Sequence, residues 1–178
     1  MIHFDAHADT ADILEGNLAS HGTPMRRLIE SGAIPGDRFI QVGLRGYWPG
    51  EEDQKWMRDH GLRHFMMQEF WERGTQAVLA DVIAAARERG DKVYVSIDID
   101  VLDPAFAPAT GTPEPGGFAS MDLLRIVRAL VLEFDVVGFD VMEVAPPYDH
   151  ADLTVNAAHR LIWEALAAMA VRKRDAQN

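Results

Sequence analysis

Five short runs rich in β-branched and aromatic residues, at positions 2–4, 38–43, 63–67, 93–97 and 136–141, alternate with longer amphipathic stretches along the whole chain. This alternation is the pattern of parallel strands joined by crossover helices, and it predicts helices over 24–30, 51–59, 75–89, 120–133 and 154–171. Several of these open on Ser, Thr or Asp in a capping position. Gly32, Gly61, Gly90 and Gly138 read as punctuation between elements. The expected fold is α/β, three layers of α/β/α around a mainly parallel sheet with right-handed connections. At 178 residues the chain reads as a single domain over positions 1–178.

One stretch breaks the economy of that plan. Residues 98–117 (DIDVLDPAFAPATGTPEPGG) form a twenty-residue loop with four prolines and three glycines. Such a loop can be rigid without being helical, and long loops of this kind usually serve function.

In open parallel sheets ligands bind beyond the carboxyl ends of the strands. There the sequence places Asp5, His7 and Asp9 after the first strand, Asp98 and Asp100 after the fourth, and Glu143 just beyond the fifth. The spacings D-x-H-x-D and D-x-D let side chains of an extended segment project the same way. D-x-H-x-D alone is equally a turn with a capping Asp and an ion-paired His. Asp98 and Asp100, however, emerge from an apolar strand, where unpaired carboxylates cost several kcal/mol unless compensated. Four carboxylates and an imidazole need positive charge among them, and two divalent cations match Asp5, Asp9, Asp98 and Asp100 in charge. Oxygen donors with imidazole and no sulfur suit manganese better than a structural zinc site, with iron and cobalt also compatible.

The charge balance agrees. Seventeen Lys and Arg against 28 Asp and Glu give a net charge of −11, the wrong sign for a nucleic-acid partner and the right one for cations. The absence of cysteine excludes disulfides, thiolate nucleophiles and Cys-type metal sites. No membrane-spanning or signal-like segment is evident, which fits a cytoplasmic chain.

Four motifs, FDAHADT at 4–10, SHGTP at 20–24, SIDIDVLDPAFAPATGTPEPGG at 96–117 and DVMEVAPPYDHA at 140–151, together resemble the ureohydrolases, the arginase and agmatinase family, and look more like the agmatinase branch. The resemblance implies an arginase-like fold and a binuclear Mn²⁺ hydrolase that removes urea from a guanidino compound by attack of a metal-bridging hydroxide. It implies Asp5, His7, Asp9, Asp98 and Asp100 as metal ligands, His21 as the proton-shuttling histidine and Glu143 as the carboxylate that receives the guanidinium. Agmatine, giving putrescine and urea, is the implied substrate, with guanidinobutyrate next, and a homo-oligomer the implied assembly. His3, His60, His64, His150 and His159 carry no assigned role, and Trp48, Trp56, Trp71 and Trp163 read as packing or subunit contacts.

The chain departs from the family at its front. Ureohydrolases carry an upstream Gly-Gly-Asp-His segment that resembles the source of a further metal-binding histidine, and nothing before Met1 supplies it. His3 lies too near Asp5 in sequence to read as its substitute. One ion is therefore expected to be weakened. The first strand is expected to lack neighbours, leaving an apolar edge unpaired or covered by another chain. Two function classes follow: an agmatinase-like hydrolase, or a truncated non-catalytic remnant or interaction subunit that binds metal weakly.

Overall fold

A computed structural model describes residues 1–177. In chain order the main elements are β1 (Ile2–Phe4), α1 (Pro24–Glu30), β2 (Ile40–Leu44), α2 (Glu51–Asp59), β3 (Arg63–Met66), α3 (Met67–Arg73), α4 (Thr75–Arg87), β4 (Lys92–Asp98), α5 (Ser120–Glu133), β5 (Asp135–Met142) and α6 (Leu153–Asp175). The strands form one parallel sheet in the order β3-β2-β1-β4-β5. From β1 the chain builds outward through β2 and β3, then crosses back to start β4 on the other flank. The switch point therefore falls between β1 and β4, where a parallel sheet opens a crevice at its carboxyl edge.

β1 lies in the middle of the sheet, with Ile2 and Phe4 in register with Ile40 and Val42 on one side and Val95 and Ile97 on the other. This corrects the expectation of an orphaned first strand. Among the described residues the strands with one neighbour are β3 and β5. β1 is buried throughout because both neighbours come from later in the chain.

Alternation along β1 and β4 separates two faces. Ile2, Phe4, Val93, Val95 and Ile97 point into the larger core, where they meet Val78 and Val82 of α4, Leu123, Ile126 and Leu130 of α5, and Leu161 and Ala165 of α6. Each fully buried Phe, Leu or Ile contributes about 1.5–3 kcal/mol. The opposite face packs against α1 and α2 through Ile29, Phe39, Leu44, Met57 and Leu62. That covering layer reaches β2 but not β4 and β5, whose residues Tyr94, Ser96, Asp140 and Met142 line a cleft of about 650 Å³.

The helices over 24–30, 51–59 and 120–133 match their sequence expectation. α3 is an addition: position 67 reads as strand, but Met67 opens a short helix, and the Glu69 side chain accepts the Met66 N–H at 3.1 Å in its first turn. Gly138 is a correction, because it lies inside β5 rather than between elements. A Cβ there would stand 2.3 Å from the Tyr94 ring, so the glycine is what lets Tyr94 lie across the neighbouring strand. The capping expectation also fails in detail. The starts of α1, α2, α4 and α5 carry no side-chain cap. Asp149 instead accepts the N–H groups of Thr154 and Val155 at the start of α6.

Candidate metal and guanidino site

The acidic motifs converge at the switch point. Ala6 N–H donates to Asp100 Oδ1 at 3.0 Å, and His7 Nδ1 lies 3.0 Å from Asp100 Oδ2, so the segments after β1 and β4 are tied together directly. Asp5 is buried at the end of β1, with Oδ1 accepting the His7 N–H and Oδ2 3.1 Å from His3 Nε2. Two groups of three candidate donors result, Asp5–His7–Asp100 and His3–Asp5–Asp9, with the donor atoms in each within 4.8 Å of one another. Asp5 belongs to both.

Asp98 stands beside these groups. It ends β4, is nearly buried, and accepts the Asp100 N–H at 3.0 Å, closing the 3-10 turn Ile99–Val101. The loop expected over 98–117 thus begins as one helical turn. The rest is held by a residue the sequence reading passed over. Arg45, almost fully buried, donates to the main-chain carbonyls of Gly43, Asp100, Val101, Leu102, Glu114 and Pro115. Burial lowers its pKa, and the charges of Asp100 and Glu114 oppose that fall. One guanidinium thereby fixes both ends of the proline-rich loop and the backbone carrying Asp100. A basic residue directly after a strand, opposite a loop full of prolines that leave carbonyls unpaired, is the signal that could have found it.

The electrostatics call for cations. Burial pushes the Asp9 carboxyl up to about 8 and the Asp98 carboxyl up to about 10, with the charge of Asp5 adding to both. Burial raises Asp100 too, against the opposing hydrogen bond from His7. His7 is raised to about 10 by its contacts with Asp100 and Asp5. Burial also pushes Asp5 upward, yet the neighbouring His3 and His7 hold it down at about 2. Without added positive charge the cluster stays ionised only in part. Asp5 Oδ2 is buried with only His3 Nε2, 3.1 Å away, to meet its charge. The donor set is carboxylate and imidazole without sulfur, which fits divalent manganese and its hard neighbours.

His21 and Glu143 flank the donors, and both line the cleft with Asp9 and Asp98. The turn bearing His21 is built by Thr23, whose hydroxyl accepts the Ser20 N–H and donates to the Leu18 or Ser20 carbonyl. It is tied to the first motif by Ala11 N–H to Gly22 O and Met25 N–H to Asp9 O, both 3.1 Å. Glu143 follows β5 with φ +60°, and Asp9 has φ +54°, so both hold the left-handed conformation that non-glycine residues adopt at local cost. A Cβ at Gly111 would come within 3.2 Å of Glu143 Oε2, so the long loop passes closely over this carboxylate. Ala145 N–H bonds to Ala109 O, and Ala109 N–H to Thr154 Oγ1, fastening that loop between β5 and α6. Every sequence-predicted site residue therefore lies at one edge of the sheet, and His3 joins them.

The remaining singled-out residues lie elsewhere. His60 ends α2, stacked on Trp56 at 4.1 Å, and His159 accepts the Trp163 indole N–H within α6. Trp48, Trp71 and Trp163 are exposed. Among the described residues no helix is long and apolar enough to cross a membrane.

The chain is similar to known proteins in sequence and in fold. Guanidinopropionase of Pseudomonas aeruginosa is 45% identical over 172 residues, covering 96% of this chain and 53% of that protein. The crystal structure of formimidoylglutamase from Bacillus subtilis superposes with a TM-score of 0.88 at 30% identity, over 94% of this chain and 52% of that one. Proclavaminate amidinohydrolase from Streptomyces clavuligerus superposes with a TM-score of 0.84 at 40% identity, over 96% and 55%. The chain spans about half the length of the relatives it matches. The model of the arginase family matches residues 1–168, and with this fold and this edge of carboxylates the chain belongs to the arginase family.

Proposed function

We propose that residues 1–178 form the part of a manganese-dependent guanidino hydrolase that carries most of its metal donors and cleaves a guanidino compound to urea and an amine. The observation that carries the reading is the pair of three-donor groups sharing Asp5, with Glu143 and His21 lining the adjoining cleft. Asp5, His7, Asp9, Asp98 and Asp100 would hold the ions. Bound there, divalent cations supply Lewis acidity and lower the pKa of water, which the poorly electrophilic guanidinium carbon requires at neutral pH.

The chain's own residues do the rest. Glu143 accepts two parallel N–H bonds from the planar guanidinium, which orients its carbon toward the metal donors and discriminates against uncharged amides. His21 passes a proton to the departing nitrogen, so that water and guanidinium become urea and a protonated amine. The loop held by Arg45 keeps Asp100 in place while this happens.

Agmatine is the proposed substrate. Among the described residues the cleft is lined by Asp9, Asp98, Asp140 and Glu143 and by no Lys or Arg, a setting that suits a cationic tail. The name of the relative guanidinopropionase favours a second reading, a guanidino carboxylic acid. Homo-oligomerisation belongs to the same proposal. A third reading, a non-catalytic partner subunit, is favoured by the half-length coverage. Urea release from agmatine, guanidinobutyrate, guanidinopropionate and arginine in the presence of Mn²⁺ separates them. Agmatine turning over fastest supports the first, guanidinopropionate fastest the second, and no urea from any substrate the third.

A further inference from the structure

We propose that a second cavity, beyond the carboxyl ends of β2 and β3, binds a small aromatic monocarboxylate. Its volume is about 570 Å³, and it shares no lining residue with the cleft of the metal centre, so the inference stands apart from the metal reading. The cavity lies where the register of β2 against β3 shifts between Val42 and Leu44, an irregularity that bends a strand and re-aims the side chains beyond it. Leu44 and Met57 of α2, each 2% exposed, give it an apolar interior. Tyr47 and Trp48, in the loop after β2, line it yet stand largely in solvent. Gln54 Nε2 donates to Pro49 O at 3.0 Å and ties that loop to α2, so the aromatic wall is already in place. Ligand pockets span roughly 300–1,000 Å³ and combine such apolar and aromatic walls with a few polar groups. Here the polar groups set the charge of the ligand. Arg58 of α2 and His64 of β3 line the cavity, and no Asp or Glu does, in a chain that has 28 of them. No salt bridge among the described residues engages Arg58 or His64. The metal cleft is the reverse, with carboxylates and no Lys or Arg. A guanidinium beside an apolar slot pairs with a carboxylate through two parallel N–H bonds, while indole and phenol rings stack on a planar body.

Calorimetric titration of the full chain with phenylacetate, without added metal, is the test, with benzylamine and acetate as controls. Phenylacetate is expected to fill one site. Benzylamine, which lacks the negative charge, and acetate, which lacks the ring, are each expected to bind about tenfold more weakly or worse. Arg58→Gln is expected to weaken phenylacetate about tenfold and Trp48→Ala about fivefold, with thermal melting unchanged because both side chains lie at the surface. Trp48→Phe keeps a ring and should restore affinity to within about twofold. No phenylacetate bound, benzylamine bound equally well, or unchanged affinity in either Arg58→Gln or Trp48→Ala overturns the inference. A dimer in sedimentation that Trp48→Ala dissociates also overturns it, since the cavity would then seat a second copy of the chain.

Discussion

The two halves of the acidic centre are built differently. Asp5, His7 and Asp100 are fixed in the bare protein: Asp100 accepts from Ala6 N–H and faces His7, Asp5 accepts from His7 N–H, and Arg45 grips the Asp100 carbonyl at 2.7 Å. In the His3, Asp5 and Asp9 half, Asp5 Oδ2 meets only His3 Nε2 at 3.1 Å, Asp9 is raised to about 8, and its backbone is left-handed. The first half is preorganised by hydrogen bonds, and a cation arriving there takes the place of the His7 proton that bonds Asp100. The second stores unsatisfied charge, so its order and its affinity should depend on the ion it holds.

The largest effect should come from the residue common to both. Asp5→Asn is expected to abolish high-affinity binding of both ions, and with it any urea production. Retention of one ion at unchanged affinity, measured by equilibrium dialysis, would show that the halves do not share it. Next, Arg45→Met should destabilise the fold by about 3 kcal/mol, since several buried carbonyls lose their donor together. Denaturant unfolding would read that loss, and a change under about 1 kcal/mol would mean the loop is held by something else. Glu143→Gln should lower kcat/KM by about a hundredfold while leaving metal content intact, a separation visible when the same samples are assayed for urea and for manganese.

Acidity offers a subtler contrast. In the metal-free chain Asp9 and Asp98 keep protons to about 8 and 10 that an ordinary carboxyl loses near 3.8, and His7 keeps its proton to about 10 rather than 6.5. Between these values the folded state holds more protons than the unfolded one, so its stability falls as pH rises from about 4 to about 10. Asp5, depressed to about 2, runs the other way, and its contribution is lost only as pH falls from 3.8 toward 2. Mn²⁺ binds the deprotonated groups, so the rise in Tm on adding it should be small at pH 6 and larger at pH 8.5. Equal increments in thermal melts at the two pH values would contradict this. The smallest effect is expected from Gly111→Ala, which presses on Glu143 and should raise KM a few-fold with kcat nearly unchanged. An unaltered KM would free Glu143 from the loop.

Much of this was legible in the residues. Alternating apolar runs were enough to place all five strands within a few positions, because a buried parallel strand must be apolar and flanked by breakers. D-x-H-x-D and D-x-D marked the switch point because carboxylates rarely end apolar strands without a charge to meet. What stayed hidden depends on contacts distant in sequence. Gly138 looks like a turn until Tyr94, forty-four positions earlier, is seen lying across it. Arg45 looks like a surface cation until the carbonyls of the long loop close around it. Strand order cannot be read from local pattern either, and so β1 was expected at an edge though it lies at the centre.

The central claim is that one edge of this sheet holds two cations with Asp5 between them. A crystal soaked in Mn²⁺ and measured at the manganese absorption edge tests it most directly. The account predicts two anomalous peaks roughly 3.5–4 Å apart, one against His7 and Asp100, the other against Asp9, with Asp5 touching both. A single peak, or peaks away from Asp5, would contradict it.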